Sequence, residues 1–341
     1  MSDCPWRIGI YTRVSNEILW KVYAVFGVLK ALFEDSPKDI SDRLVFKGGT
    51  SLSKAYRLID RFSEDVDLAF LNQEGSGLKR LGQRRQDSLI RSVETFIGNL
   101  DWMDSVNVVS KTQGKRILAC SYMRPAQEQA VDARVHGYLK PHVQLELDIR
   151  GDAFPVVQLP ISSLLGDFIK EKNPKAYKGY KGLHPIQVRV MSYERTLIEK
   201  SQALLTCITD YFSHSEGKAR FSVKEKERHF YDIHRLYEKF KWESGSMASE
   251  EFLNIFRSAV EMDGRIYGSQ NYLLVNGLPY LEDKIEHFLN IQFQNEYKRL
   301  YNSSPIYYGT RLAAEEILSG VEEYLRKLND CFQQSKQGFG G

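Results

Sequence analysis

The sequence predicts an α+β protein, with a mixed β-sheet flanked by helices and a largely α-helical C-terminal lobe. Two observations predict the sheet. An apolar run over 43–46 ends at a pair of glycines, and segments at 65–70 and 143–149 alternate apolar and polar residues. A third observation predicts the second lobe, because apolar residues recur at helical spacing in nearly every segment from Ser192 onward.

The chain of 341 residues is long enough for two units, each with its own core. We expect a sheet unit over 1–185, including an N-terminal helical region, then a helical lobe over 186–334 and a flexible tail over 335–341. The apolar run at 18–33 contains two lysines and is shorter than a bilayer span, so it predicts a core helix. Further predicted elements are a hairpin of 106–109 with 116–121 and helices over 84–100, 193–208, 228–240, 250–260, 281–289 and 313–328.

A pair of glycines marks the turn between the first strand and a helix predicted over 51–58. Thr50 or Ser51 is available as the N-cap of this helix. Small residues at such a turn offer main-chain N–H groups to phosphate, and either hydroxyl is a candidate contact. Lys47 either reaches the β- or γ-phosphate or merely ends the strand. The candidate phosphate site is Lys47, Gly48, Gly49, Thr50 and Ser51.

Two carboxylates lie on one face of the next predicted strand. Asp65 and Asp67 alternate with the apolar residues Val66 and Leu68, which face the core. Ordinary surface alternation gives the same pattern, so the pair alone is weak evidence. Close to a glycine turn, however, two carboxylates indicate a site for a nucleoside triphosphate (NTP) with Mg²⁺.

A later strand, predicted over 143–149, supplies two further acids. Apolar residues occupy every second position of this segment, so Glu146 and Asp148 emerge together on its other face. The alternation does not show which of them is a third metal ligand. Either could equally be a solvated residue on the strand surface.

Five sequence blocks between about Leu44 and Leu236 resemble one family. They are Phe46-Lys47-Gly48-Gly49-Thr50-Ser51-Leu52, Arg61-Phe62-Ser63-Glu64-Asp65-Val66-Asp67-Leu68, Leu145-Glu146-Leu147-Asp148, Glu194-Arg195-Thr196-Leu197-Ile198-Glu199-Lys200 and Arg228-His229-Phe230-Tyr231-Asp232-Ile233. In this order they resemble the AbiEii/AbiGii toxin family of nucleotidyltransferases, which have the DNA polymerase β-like minimal nucleotidyltransferase fold. The chain departs from the common pattern in having Gly49-Thr50-Ser51 where many relatives have Gly-Ser, and a longer interval to Asp65.

The resemblance implies a role for each matching acid. Asp65, Asp67 and a third carboxylate would hold the Mg²⁺ that bridges the triphosphate. Glu146 is favoured as the third, because the family's acid precedes a proline by about nine positions and Pro155 follows here; Asp148 is the second choice.

The resemblance also implies that Lys200 binds the triphosphate and that Asp232 acts near the nucleotide or the attacking hydroxyl. Without it, Lys200 would be taken for a surface lysine on an amphipathic helix. Asp232 would be taken for a cap or a partner of Arg228 or Arg235.

Basic segments raise the question of a nucleic-acid partner. Five lysines interleave with Tyr177 and Tyr180 over 170–182, in what we predict to be a linker between the lobes. Such a segment either is a solvated loop or binds phosphates and bases. The net charge of only +3 means that RNA binding would depend on local patches. The other two are Lys79, Arg80, Arg84 and Arg85, and Lys218, Arg220, Lys224, Lys226 and Arg228.

These observations together predict a Mg²⁺-dependent nucleotidyltransferase that moves an NMP from an NTP to an acceptor, with the tRNA 3′ end favoured and protein as the other candidate. The resemblance implies a toxin of a toxin–antitoxin or phage-defence system, with a cognate antitoxin. The alternatives are a non-catalytic GTP- or ATP-binding module acting through a partner, and a metal-dependent phosphoesterase. The start of the sequence has no signal-peptide pattern, and no membrane partner is expected, so we expect a cytoplasmic protein.

Overall fold

The chain divides into two compact units. The computed structural model describes residues 16–63, 65–72, 81–112, 114–123, 140–149, 153–213, 222–243, 247, 249–267, 274–275, 278–279, 281–307 and 311–337. The first unit is Met1–Met191 with Ile306–Gly309, and the second is Ser192–Pro305 with Thr310–Gly341. Residues 186–191, which the sequence analysis assigns to the helical lobe, thus belong to the sheet unit.

A mixed β-sheet of seven described strands forms the centre of the first unit. The strands are β1 (Leu44–Lys47), β2 (Val66–Phe70), β3 (Met103–Thr112), β4 (Lys115–Tyr122), β5 (Val143–Asp148), β6 (Val156–Ile161) and β7 (Ile186–Met191). Their order is β3-β4-β5-β2-β1-β7-β6. The pairs β2/β5 and β1/β7 are parallel, and the other neighbours are antiparallel.

Helices cover one face of this sheet. Apolar residues of α1 and α4, such as Phe26 and Val93, share a core with the inward residues of the strands, such as Phe46 and Leu145. This confirms the predicted core helix near the N-terminus. The described helices of the unit are α1 (Asn16–Lys30), continued by a π-helical turn (Ala31–Asp35), α2 (Lys38–Ser41), α3 (Gly48–Lys54), α4 (Gln83–Gly98), α5 (Leu164–Lys172) and α6 (Pro174–Gly179).

The lysine-rich segment is the clearest difference from the sequence prediction. It is not a linker between the units, because α5, α6 and a 3₁₀ turn (Lys181–Leu183) lie between β6 and β7 of the first unit. The Ser163 side chain caps α5, and the Asn173 side chain caps α6 with Pro174 as its first residue. Neither these caps nor the strands β6 and β7 were predicted from the sequence.

The second unit is mainly helical, as predicted. Phe230 stacks on Tyr297, with ring centroids 4.4 Å apart, and both rings are fully buried. Four of the five predicted helices are too short at one or both ends, and the helix over 291–303 was not predicted. The described helices are α7 (Tyr193–Ser213), α8 (Val223–Glu243), α9 (Glu250–Tyr267), α10 (Glu282–Phe288), α11 (Ile291–Ser303) and α12 (Ala314–Gln337); a short hairpin pairs β8 (Leu274–Val275) with β9 (Leu278–Pro279).

Some predictions fall on residues that the structure does not describe. Among the basic residues, these are Lys79, Arg80, Lys218 and Arg220. Within the predicted tail, α12 continues to Gln337, and residues 338–341 are not described. None of the helices in the described ranges is both long and apolar enough to cross a bilayer.

Close packing of α8 on α12 predicts a pH dependence of stability. A Cβ at Gly320 would lie 2.1 Å from Nδ1 of His234, and burial lowers the pKa of that imidazole. Below about pH 6.5 the unfolded chain therefore binds a proton that the folded chain resists, so stability falls as the pH decreases. We measure the free energy of unfolding by urea titration at several pH values from 8 to 5. In His234→Gln, we expect it to decrease less with falling pH than in the wild type. An unchanged slope would contradict the assignment.

Candidate active site

Three charged residues lie side by side across the middle of the sheet. The strand register pairs Lys47 of β1 with Asp67 of β2, and Asp67 with Glu146 of β5. Paired residues project to the same face, and neighbouring strands are about 4.8 Å apart. Asp148 pairs with the buried residue Ala69, so the register places Glu146 rather than Asp148 beside Asp67.

The glycine turn packs directly against Asp67. Gly48 has a φ of +76°, and a Cβ there would lie 2.0 Å from Oδ2 and 2.8 Å from Cγ of Asp67. A Cβ at Gly49 would lie 2.5 Å from Nη2 of Arg61 and 2.9 Å from Oγ of Ser63. Gly48 is therefore required by close approach and by its backbone conformation, whereas a side chain at Gly49 would displace the ends of Arg61 and Ser63.

Both hydroxyls of the turn are engaged within the protein. Thr50 and Ser51 are fully buried. The Thr50 hydroxyl donates to the carbonyl of Asp65 and is hydrogen-bonded to the Ser63 hydroxyl at 2.9 Å, and the Ser51 hydroxyl donates to the carbonyl of Gly48 at 2.8 Å. The prediction that one of them is the N-cap is wrong, because α3 begins at Gly48 and its N-cap is Lys47. The Thr50 hydroxyl instead connects the turn to the residues before β2, and the Ser51 hydroxyl closes the turn on itself.

Lysines pair with two of the predicted acids. Lys140 Nζ lies 3.1 Å from Asp65 Oδ1 and donates to Gln144 Oε1 at 2.8 Å. Lys115 forms an ion pair with Glu146, both side chains being about one quarter exposed. Asp65 and Glu146 are therefore each neutralised by a lysine of the same unit.

The donor set fits Mg²⁺ held jointly with a substrate. In the described part of the chain, no three His, Cys, Asp or Glu side chains are grouped closely enough to hold a metal ion by themselves. Mg²⁺ usually takes only one or two protein carboxylates and completes its shell with water and phosphate oxygens. Asp65 and Asp67, two residues apart beside the glycine turn, match that requirement.

In the second unit, Lys200 and Asp232 form a buried ion pair. Nζ of Lys200 on α7 lies 2.6 Å from Oδ2 of Asp232 on α8, and their side chains are 8% and 0% exposed. Nδ1 of His229, one helical turn before Asp232, is 3.4 Å from the same ammonium. Two residues that the sequence analysis selected separately are thus direct partners.

Four residues of these two clusters were missed by the sequence analysis as members of a site. Lys115 and Lys140 pair with acids 31 and 75 positions away, a separation that leaves no local pattern. Arg61 and His229 offered a signal, because both lie within blocks that carry the family resemblance.

The sequence comparison identifies a class of nucleotide-transferring protein. The family described as "Nucleotidyl transferase AbiEii toxin, Type IV TA system" matches residues 30–316. The chain belongs to this family. No curated protein matches the sequence.

Solved structures are similar over nearly the whole chain at low identity. JHP933 from Helicobacter pylori is 14% identical with a TM-score of 0.45, and the alignment covers 99% of this chain and 97% of that one. MenT4, the nucleotidyltransferase toxin Rv2826c from Mycobacterium tuberculosis H37Rv, is 13% identical with a TM-score of 0.44, and 96% of each chain is covered. Similarity at this level carries no information about substrate or residue roles.

The contact between Gly48 and Asp67 predicts a large effect of one methyl group. In Gly48→Ala, the Cβ displaces the Asp67 carboxylate, and we expect nucleotidyl transfer to fall about 10²-fold, the usual cost of a misplacement near 1 Å. The left-handed φ adds a loss of about 1–2 kcal/mol in the free energy of unfolding. Both are measured against Gly182→Ala, where a Cβ meets nothing within 4 Å. Equal activity in the two variants would exclude the contact as a functional requirement.

Proposed function

We propose that this protein is a Mg²⁺-dependent nucleotidyltransferase that moves an NMP from an NTP to an acceptor hydroxyl and releases pyrophosphate. The observation that carries the proposal is the row of Lys47, Asp67 and Glu146 with Gly48 packed against Asp67. Membership of the AbiEii family supports it. We favour the tRNA 3′ end as acceptor, with other RNA or protein as alternatives.

The candidate site residues of the sheet unit have the following proposed roles. Asp65 and Asp67 hold the metal, and Glu146, beside Asp67, is its third carboxylate ligand. Mg²⁺, when bound, neutralises triphosphate oxygens and stabilises charge as the bond between the α-phosphorus and the pyrophosphate oxygen breaks. Lys47 contacts the outer phosphates, and the main chain of Gly48 and Gly49 lets them approach.

Lys115 and Lys140 change partners as the substrate binds. Each forms an ion pair with a carboxylate that is a proposed metal ligand. Their ammonium groups lie at the end of flexible side chains, which allows them to turn from the carboxylates to phosphate oxygens. The acids thereby keep a counter-charge in both states.

For the helical unit, the proposal rests on the family resemblance. Lys200 binds the triphosphate as a point cation. Asp232 is fully buried, so its contact with Lys200 favours a positioning role over proton abstraction from an acceptor. We further propose an antitoxin as partner and the cytoplasm as location, because the family is described as toxins of type IV systems.

The test is transfer of label. Full-length protein, Mg²⁺ and each NTP labelled at the α-phosphate are incubated with total tRNA or total cell protein, beside an Asp65→Ala/Asp67→Ala control. Label on tRNA or protein that is lost in the control supports the proposal and identifies nucleotide and acceptor. NTP binding with no label on any acceptor would favour the non-catalytic module.

A further inference from the structure

A cavity of about 460 Å³ opens in the first unit beyond the end of α3 that is opposite the glycine turn. Arg57 follows the C-terminal end of α3 and lines the cavity. This volume is in the range of small-ligand sites. Its lining includes Arg57, Pro160, Ser162, Asp167, Lys170 and Pro185.

The cavity combines apolar residues with polar and charged ones. Pro160, Ile161 and Pro185 are the apolar part of its lining, and Asp167 and Glu171 contribute carboxylates. Arg57 Nη2 donates to Ser162 Oγ at 3.1 Å and lies 3.4 Å from Asp167 Oδ2, and the Ser162 hydroxyl donates to the same carboxylate at 2.9 Å. Arg57 remains 47% exposed, so its other N–H groups are accessible. Apolar residues beside fixed hydrogen-bond donors and acceptors suit a small heterocycle such as a base.

Arg57 adopts a backbone conformation that glycine would take without cost. Its φ is +55°, the left-handed region, although it has a long side chain. Its ion pair is partly exposed and contributes little to stability. A strained arginine at the rim of a cavity therefore indicates a requirement for the guanidinium itself.

The adjoining surface is basic and aromatic. Between 170 and 181 there are five lysines and one glutamate, and all five lysines are exposed. Tyr180 is 55% exposed, and the rings of Tyr177 and His184 are 4.8 Å apart. Lys170 belongs to both features, since it lines the cavity and lies 6.0 Å from the Tyr177 ring centroid. Lysines beside exposed aromatic rings are typical of surfaces that bind single-stranded nucleic acid.

We propose that this cavity binds one unstacked base of a single-stranded RNA and that Lys175, Lys178 and Lys181 bind the neighbouring phosphates. The inference rests on the proposed function and names the acceptor surface of the sheet unit. RNA is favoured over an acidic peptide because the cavity lining includes the carboxylates of Asp167 and Glu171, which accept hydrogen bonds from a base but repel the carboxylates of an acidic peptide.

The test is binding of a fluorescent single-stranded RNA by the full chain at several salt concentrations. Lys175→Gln/Lys178→Gln/Lys181→Gln is compared with Lys38→Gln/Lys111→Gln/Lys327→Gln, which removes the same charge from exposed lysines elsewhere. We expect at least a tenfold loss of affinity in the first variant only. The slope of log K against log salt should fall by about 2, since each phosphate contact in a single strand contributes about 0.7. Equal losses in both variants would overturn the proposal.

Arg57→Gly tests the cavity without endangering the fold. Because glycine relieves the left-handed strain, we expect an unchanged or higher thermal midpoint with at least a fivefold loss of RNA affinity. Wild-type affinity in this variant would overturn the base site. So would equal binding of an abasic strand of the same length, or displacement of RNA by polyglutamate as effectively as by unlabelled RNA.

The two proposals fail in different ways. Transfer of label to protein only, with no RNA binding, would overturn this inference and leave nucleotidyl transfer intact. Specific RNA binding that depends on Arg57 and the three lysines, without transfer of any label, would support the inference and contradict the enzymatic proposal.

Discussion

Replacing Asp67 by asparagine is expected to lower nucleotidyl transfer on the order of 10³-fold, because metal-assisted charge stabilisation is worth several kcal/mol. Asp67 is the residue at which the contacts of the site meet. It pairs with Lys47 and Glu146 across the sheet, and the glycine turn packs on its carboxylate. Asparagine keeps the shape of the side chain but removes the charge that a divalent cation requires. The measurement is the initial rate at saturating NTP.

Asp148→Asn is the matched control for this prediction. Asp148 lies on the same face of β5, two residues beyond Glu146, but pairs with Ala69. We expect its transfer rate to stay within about threefold of the wild type, an effect below 1 kcal/mol. Comparable losses in Asp67→Asn and Asp148→Asn, or full activity in Asp67→Asn, would contradict the assignment of the site.

Breaking the buried pair of Lys200 and Asp232 is expected to lower the free energy of unfolding by about 3–5 kcal/mol, because each single change removes the counter-charge of a buried charged side chain. Lys200→Met and Asp232→Leu should each show this loss in urea denaturation. The double variant should recover most of the stability, since two apolar side chains then replace the pair. It should still fail to transfer label, because the proposed triphosphate ligand is absent.

The exposed pair of Lys241 and Glu323 in the same unit provides the comparison. These side chains are 2.9 Å apart but 44% and 52% exposed, so Lys241→Met should cost no more than about 1 kcal/mol. Additive losses in the Lys200→Met/Asp232→Leu double variant would contradict a coupled pair. Full transfer activity in that variant would separate the pair from function and leave it a structural feature of the helical unit.

The sequence predicted the local features of the sheet site because they are encoded within a few residues. Alternation of charged and apolar residues places Asp67 on a strand, and the double glycine marks the turn. The register does not follow from alternation: Glu146 and Asp148 share a face, and only the pairing of β5 with β2 brings Glu146 beside Asp67. Residue roles at the site remain proposals.

Features that depend on contacts distant in sequence were the ones missed. Lys140, the partner of Asp65, lies shortly before β5, and Lys115, the partner of Glu146, begins β4. No local sequence pattern connects either lysine to its acid. The segment 170–182 was taken for a linker because its composition is polar and flexible. It lies inside the first unit because it connects β6 to β7, which pair with each other, and β7 also pairs with β1 of the same sheet. Pro160 within the edge strand β6 weakened that strand's signal further.

The most direct test of the central proposal compares NTP labelled at the α-phosphate with NTP labelled at the γ-phosphate, in the presence of Mg²⁺, full-length protein and total tRNA. Nucleotidyl transfer predicts that the α label becomes attached to the acceptor and the γ label leaves as pyrophosphate, and that both signals are lost in Asp67→Asn. Attachment of the γ label, or attachment of the α label that persists in Asp67→Asn, would contradict a nucleotidyltransferase built on this carboxylate.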